Sequence, residues 1–151
     1  MALVIPNVAE EFFLNCITRK IQDPLHSWAI RLYSNNKTPA NTDIASDYTA
    51  ITDGVSVTNG DGTYQYSLSH QNFVTTPGSP TSTLYTVTNP KFLFSQDVTV
   101  YGCYVINLAA HSQVTDSLIA AQRLTSAPFT ATNGDSITIT FTLTLGSVSG
   151  D

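Results

Sequence analysis

The residues of this chain that could do chemistry are three histidines and a set of carboxylates. His26, His70 and His111 are isolated, and none belongs to a His-x-His or His-Glu-x-x-His arrangement. Glu10 and Glu11 are adjacent on a predicted helix, so their side chains point about 100° apart and form no acid–base pair. We interpret the histidines as surface or loop residues, and we expect no catalytic residues and no enzymatic activity.

The remaining polar candidates do not combine into a metal site. Aspartates fall in predicted loops, where they favour turns: Asp43, Asp47, Asp53, Asp61, Asp97, Asp116 and Asp135. Asp53, Asn59 and Asp61 offer the oxygen ligands that calcium prefers, but their spacing does not match an EF-hand. Cys16 and Cys103 have no metal-ligand spacing and are expected to be buried thiols, with a disulfide left open. We expect no metal and no cofactor.

Composition limits the function further. A chain of 151 residues predicts one domain over 1–151. Charged residues make up 11% of it, against about 25% in an average soluble domain, and Ser and Thr fill much of the difference. At 42% apolar residues the chain is too hydrophobic for a disordered protein. A surface with few charges keeps copies apart less effectively, which suits assembly.

Charge and hydropathy exclude two classes of partner. The net charge is −5, and the six basic residues are spread from Arg19 to Arg123, so direct binding of nucleic acid is not expected. No apolar run is long enough to cross a membrane. The start of the chain lacks the basic region of a secretory signal, which predicts synthesis in a cytoplasm.

One amphipathic helix is predicted, over residues 7–21. Asn7 and Glu10 form a capping-box pattern, and Pro6 prevents the helix from beginning earlier. Apolar residues recur every three or four positions along it: Val8, Phe12, Cys16, Ile17 and Ile21.

Residues 27–145 are predicted to form about eight short strands. Apolar and polar residues alternate over 28–33, and without a fault over 135–145, as in strands with one buried face. Others are predicted at 48–51, 55–58, 64–69, 84–88, 98–108 and 117–124, with Asn-Gly and Asp-Gly turn signals at 59–62. The fold class is therefore mainly β, an antiparallel β-sandwich or jelly-roll-like barrel. The predicted core consists of Phe12, Ile17, Trp28, Ile30, Leu32, Val98, Val100, Ile106, Leu118, Ile137, Ile139, Phe141 and Leu143.

Several tyrosines lie beside polar positions in the predicted strands: Tyr64, Tyr66, Tyr85, Tyr101 and Tyr104. Such rings can stack on sugars, lie in a subunit interface, or cover the edge of a core. The sequence leaves these three interpretations open.

Six segments follow one another in a characteristic order: Pro-Asn-Val-Ala-Glu-Glu-Phe-Phe-Leu-Asn (6–15), Ile-Arg-Leu-Tyr-Ser-Asn-Asn (30–36), Thr-Pro-Ala-Asn-Thr-Asp (38–43), Val-Tyr-Gly-Cys-Tyr-Val-Ile-Asn (100–107), Ala-Ala-Gln-Arg-Leu (120–124) and Asn-Gly-Asp-Ser-Ile-Thr-Ile-Thr (133–140). In this order they resemble a group of small virion structural proteins of tailed bacteriophages. Residues 56–80 depart from the pattern.

This resemblance implies a capsid decoration or cement protein. Such a protein is made in the cytoplasm of the host bacterium, binds the major capsid protein on the outside of the virion, and is commonly a homotrimer. The alternative is a receptor- or carbohydrate-binding module of a tail tip or fibre. Interface residues are expected in the apolar arm 1–5 (Leu3, Val4, Ile5) and at Tyr64, Tyr66 and Tyr85. The arm equally suits a short first strand of the main sheet.

Overall fold

The computed structural model describes residues 4–10, 28–58, 63–68, 73–75, 81–84, 90–108, 117–140 and 142–144. Its strands are β1 (Trp28–Tyr33), β2 (Val55–Thr58), β3 (Gln65–Leu68), β4 (Phe73–Thr75), β5 (Thr81–Leu84), β6 (Lys91–Phe94), β7 (Val98–Val100), β8 (Gly102–Asn107), β9 (Ser117–Arg123), β10 (Phe129–Ala131), β11 (Ser136–Thr138) and β12 (Thr142–Thr144). Every strand pair among them is antiparallel. The mainly β, antiparallel prediction is confirmed.

These strands form four open sheets, so the described part of the chain is not a closed barrel. The largest sheet has the order β3-β1-β8-β9. Two three-stranded sheets have the orders β11-β6-β2 and β12-β5-β4, and β10 pairs with β7. Val4 extends the largest sheet at its β9 edge, because its N–H and C=O both bond to Ala121 at 3.0 Å. Val4 thus pairs with this sheet through an isolated bridge.

The largest sheet buries both faces, and the alternation of β1 assigns its side chains to them. Trp28, Ile30 and Leu32 point to the inner face, and Ala29 and Tyr33 to the outer face. On the inner face they join an apolar cluster with buried residues of other strands and loops: Ile51, Val57, Tyr66, Leu68, Phe92, Phe94, Val100, Val105, Ile119, Ala120, Ala131 and Ile139. The outer cluster combines Ala29 and Tyr33 with Tyr48, Tyr104, Ile106, Leu118 and Ala121.

A β-bulge and a glycine shape the pairing of β8 with β9. The register shifts between Val105 and Ile106, so Ile119 is an extra residue opposite β8. Ile119 and Ala120 consequently both pack into the inner cluster. At Gly102 a Cβ atom would lie 2.2 Å from the Gln122 carbonyl oxygen and 2.5 Å from the Tyr33 ring. The backbone of β9 and the Tyr33 ring therefore leave no room for a side chain at this position.

The predicted continuous strand over 135–145 is wrong. The segment forms β11, which pairs with β6, and β12, which pairs with β5, and Ile139 N–H bonds to Pro90 O between them. Apolar and polar residues alternate through both pieces because both are extended. The two pieces nevertheless belong to different sheets, because they pair with different strands. Similarly, the apolar run 98–108 is divided at Tyr101, whose N–H bonds to Tyr33 O and whose carbonyl accepts from Leu124 N–H.

The strands predicted at 55–58 and 64–69 are observed as β2 and β3, but their pairing differs from a hairpin, and the strand predicted at 48–51 is absent from the described residues. The strands flanking 59–62 form no hairpin ladder, because β2 pairs with β6 and β3 pairs with β1. One bond, Val57 N–H to Thr63 O at 3.1 Å, joins their ends. In place of the predicted strand 48–51, a short 3₁₀ helix (Ala45–Asp47) precedes an isolated bridge between Ala50 and Tyr33.

The predicted core is confirmed where the structure describes it. Trp28, Ile30, Leu32, Val100, Ile106, Leu118 and Ile139 are buried, and Val98 and Ile137 pack against the inner cluster while partly exposed. Phe12, Ile17, Phe141 and the side chain of Leu143 lie outside the described residues. Of the predicted helix 7–21, residues 7–10 are described and helical, and the rest lies outside.

Candidate functional site: a braced loop and groove on the outer face

A loop over residues 34–49, which we call the braced loop, covers part of the outer face of the largest sheet. Asn35 ties its two ends together, because its side-chain amide donates to Asp47 O at 2.8 Å and accepts from Thr49 N–H at 2.9 Å. Asp47 caps the 3₁₀ helix by accepting from the Ile44 N–H at 3.0 Å. The side chains of the loop thus hold its backbone in one conformation.

A buried carboxylate lies at the centre of the loop. Asp43 is 3% exposed; it accepts from the Tyr48 hydroxyl at 2.6 Å and from the Ala40 N–H at 2.9 Å, and it pairs with Lys37 Nζ at 2.8 Å. Burial opposes ionisation and would raise the pKa of Asp43, but the bonds from Lys37, Tyr48 and Ala40 outweigh it and lower that pKa. The carboxylate is therefore ionised at neutral pH and holds three parts of the loop together.

Tyr48, the loop residue that bonds to this carboxylate, packs with two tyrosine rings of the sheet, Tyr33 of β1 and Tyr104 of β8. Tyr48 stacks on Tyr104 with centroids 5.3 Å apart, and Tyr33 meets Tyr48 edge-on at 5.0 Å. Burial raises the pKa of Tyr33 to about 12 and that of Tyr48 well above its usual range. Both hydroxyls stay protonated: Tyr33 donates to Lys37 O at 3.2 Å, and Tyr48 donates to Asp43.

Arg123 of β9 fastens the start of the loop. Its guanidinium donates to Lys37 O at 3.0 Å and to Asn36 Oδ1 at 2.7 Å, and it lies 5.1 Å from the centroid of the Tyr101 ring. The fork geometry of arginine suits two acceptors and an aromatic face at once. The loop is thereby attached to the sheet at a second point.

The braced loop forms one wall of a groove on the outer face. The groove has a volume of about 690 Å³, and Val8, Ala45, Ala50, Tyr104 and Leu118 contribute to its mainly apolar lining. Ile44 lines it as well and is 49% exposed. Ile5 is 38% exposed, and these two are the large apolar side chains exposed among the described residues. Asn7 N–H bonds to Asn41 O at 2.8 Å, which joins the residues that follow the arm to the loop.

Arg31 and Tyr64 form a second feature beside the groove. Arg31 lines the groove from β1, donates from Nε to Gln65 Oε1 at 2.8 Å, and lies 5.4 Å from the centroid of the Tyr64 ring. Tyr64 is partly exposed. Of the lining residues that the structure describes, Arg31 is the charged one.

The predicted interface residues fall into three groups. Val4 is paired to β9 and Ile5 is exposed beside it, while Tyr64 is partly exposed at the sheet edge. Tyr66 is 6% exposed in the inner cluster, and burial raises its pKa. A side chain this buried contributes little surface to a partner. Leu3 and Tyr85 lie outside the described residues.

The other chemical candidates are not brought together in the described part of the chain. His26, His70 and His111 lie outside it, as do Asn59 and Asp61 of the calcium hypothesis. Among the described residues no three His, Cys, Asp or Glu side chains are grouped as a metal site requires. No helix in these ranges has the length and hydropathy of a membrane span.

The thiol prediction is resolved for one cysteine. Cys103 is reduced and half-buried, and burial raises its pKa to about 11. It lines a cavity of about 150 Å³ next to Ala120 and Ile139. Cys16 lies outside the described residues.

Sequence reasoning missed the residues that brace the loop. It placed Asp43 in a surface loop as a turn residue, and it gave no role to Lys37, Tyr48 or Arg123. One signal was available: Ile44 is a large apolar residue in a segment otherwise rich in turn formers. The burial of Asp43, by contrast, depends on contacts that no local pattern encodes.

Comparison of the chain with protein families, with curated proteins and with solved structures finds no match in any of the three.

Proposed function

We propose that this protein is a bacteriophage virion component that decorates the outside of the capsid and binds the major capsid protein. The observation that carries the proposal is the pair of exposed isoleucines, Ile5 and Ile44, on segments whose backbones are held by hydrogen bonds. Large apolar side chains exposed on a pre-organised surface are typical of binding sites, because little ordering entropy is lost on contact.

Composition and the sequence resemblance support the same function. Few charges separate neighbouring copies, since charged residues are 11% of the chain. A stable contact requires about 800 Å² from each partner, which is more than two side chains provide. We therefore propose that the arm residues Leu3 and Val4 and the edge tyrosines Tyr64 and Tyr85 extend the surface, and that the protein is a homotrimer.

A finer description of the fold belongs to this proposal. We propose a two-layer β-sandwich with a jelly-roll-like path, preceded by an amphipathic helix over 7–21. In support, the largest sheet and strands β2, β6, β7 and β10 contribute to one inner cluster. Residues 7–10 are helical, with the N–H groups of Ala9 and Glu10 bonded to Pro6 O.

The alternative of a sugar-binding module has less support. Of the tyrosines that could stack on sugars, Tyr66 is buried in the inner cluster and Tyr104 in the outer cluster. Tyr64 already has the Arg31 guanidinium near its face.

Copy number separates the two functions. Quantitative mass spectrometry of purified virions should find hundreds of copies of this protein per particle if it covers the shell. A few copies, or about a dozen, would assign it to the tail and would refute the decoration proposal.

A further inference from the structure

We propose that the cavity beside Cys103 is a binding site for a small neutral molecule with an apolar body and one hydroxyl group, for which phenol is the model. This proposal is independent of the proposed function. It rests on the residues that line the cavity, on the backbone bonds that hold its walls, and on its volume.

The floor of the cavity is apolar and belongs to the core. Ile30 of β1, Val105 of β8 and Ala120 of β9 line it, and Ile139 lines it from the segment between β11 and β12. All four are buried members of the inner cluster. A ligand that reaches this floor therefore exchanges contact with water for contact with apolar side chains, which favours binding.

The mouth of the cavity is formed by threonines. Thr125, Thr138 and Thr140 also line the cavity, and all three are exposed, so the cavity reaches the surface on this side. A threonine hydroxyl can either donate or accept a hydrogen bond, so it suits the polar end of a neutral ligand.

The charges around the cavity disfavour an ionic ligand. Arg123 is the charged residue among the lining residues that the structure describes. Its guanidinium already donates to Lys37 O and Asn36 Oδ1 and lies near the Tyr101 ring. An anion would therefore lose its hydration without gaining an ion pair in the cavity.

The cavity lies between two walls that backbone bonds hold in place. On the β8–β9 wall the bulge brings Ala120 to the inner face, where it and Cys103 are small side chains. On the opposite wall, Thr138 pairs with Lys91, and Ile139 N–H bonds to Pro90 O at 3.0 Å. Neither wall can move inward without breaking these bonds, so the cavity is pre-formed and a ligand has little ordering to impose.

The volume limits the ligand to about one ring. The cavity holds about 150 Å³. An engineered apolar cavity of about 150 Å³ in another protein binds benzene, whereas pockets for drug-sized ligands have about 300–1,000 Å³. Phenol adds one hydroxyl to such a ring and therefore matches both the floor and the mouth.

The test is a titration of the full chain with phenol, followed through labelled methyl groups. We expect saturable shifts of the Ile30, Val105 and Ile139 methyl resonances, with a dissociation constant of about 1 mM or lower. Benzoate, which has a similar ring and a negative charge, should not produce them. Equal shifts with benzoate, shifts confined to Leu118 of the outer-face groove, or no saturation up to about 20 mM phenol would each overturn the proposal.

A variant that fills the cavity tests the location. Cys103→Leu adds apolar volume at the cavity, and Val98→Leu is the matched control, because Val98 is also partly exposed and packs against the inner cluster. We expect Cys103→Leu to weaken phenol binding about tenfold or more and Val98→Leu to leave it unchanged. Wild-type affinity in folded Cys103→Leu would contradict the proposal.

If Cys103→Leu fails to fold, alkylation of the Cys103 thiol in the wild type decides. Phenol at about ten times its dissociation constant should slow that alkylation about tenfold, because the occupied cavity excludes the reagent. Peptide mass spectrometry reads the rate at Cys103 separately from that at Cys16. An unchanged rate at Cys103 would overturn the proposal.

Discussion

Replacing Tyr48 by phenylalanine isolates the hydrogen bond at the centre of the braced loop. The substitution removes the hydroxyl that donates to Asp43 at 2.6 Å and keeps the ring that stacks on Tyr104. A buried hydrogen bond to a charged group contributes about 1.5–3 kcal/mol, so we expect the free energy of unfolding to fall by that amount. The groups are 4% and 3% exposed, so water cannot readily replace the lost donor.

Urea denaturation measures this change, as a lower midpoint at unchanged slope. Tyr64→Phe is the matched control: its ring lies at the sheet edge against Arg31, and its substitution should change stability by less than about 0.5 kcal/mol. Equal effects of the two substitutions, or a Tyr48→Phe effect below about 0.5 kcal/mol, would refute the role assigned to Asp43.

The difference in stability between wild type and Tyr48→Phe should depend on pH. The pKa of Asp43 is lowered from its ordinary 3.8 by Lys37, Tyr48 and Ala40, which together outweigh burial. Its contribution is therefore fully present above pH 3.8 and is lost as the pH falls through the lowered value. As the pH falls from 4 through the lowered pKa of Asp43, the free energy of unfolding of the wild type should decrease more than that of Tyr48→Phe. An identical pH profile for the two proteins would contradict the coupling.

Three further predictions follow from packing and burial. Gly102→Ala should lower the free energy of unfolding by about 1–3 kcal/mol, because the added Cβ atom would collide with backbone. Gly134→Ala should lower it by about 1 kcal/mol, because the site has open space but a φ of 93°. Equal shifts of the melting temperature would contradict this difference. Phe92→Ala, at a fully buried site, should cost about 3–5 kcal/mol in urea denaturation, and a cost below about 1 kcal/mol would mean that the inner cluster is wrongly described. Cys103 should react slowly with iodoacetamide at pH 8, and faster as the pH approaches its pKa of about 11; rapid reaction at pH 8 in the folded protein would contradict the burial.

The local sequence pattern was sufficient to predict strands that pair with the same neighbouring strands along their whole length. The alternation of Trp28, Ile30 and Leu32 identified β1 and its buried face, because a strand inside one sheet has period two throughout. It failed where a strand changes partners. The faultless alternation from Ile137 to Leu143 concealed the division into β11 and β12, since both pieces are extended and only the pairing differs.

Most of the candidate surface could not be predicted from the sequence, because it depends on contacts that local patterns do not encode. Asp43 looked like any aspartate in a turn, and its burial results from Lys37 and Tyr48 in the same loop and from rings on the sheet. Arg123 reaches the loop across 86 residues of sequence. The arm was predicted as an apolar contact segment or a short first strand. Ile5 is exposed there, and the pairing of Val4 with β9 could be known only from the sheet order.

We propose that Ile44, the exposed large apolar residue of the braced loop, makes the contact with a capsid. Cosedimentation of the purified protein with expanded capsids of the phage that is proposed to encode it, at micromolar concentration, tests this contact most directly. Wild type should bind, and Ile44→Asp should lose binding while retaining its free energy of unfolding, because Ile44 is 49% exposed. A matched charge on another exposed residue, Thr130→Asp, should leave binding intact. Absence of binding by the wild type, or equal binding by wild type and Ile44→Asp, would contradict the claim.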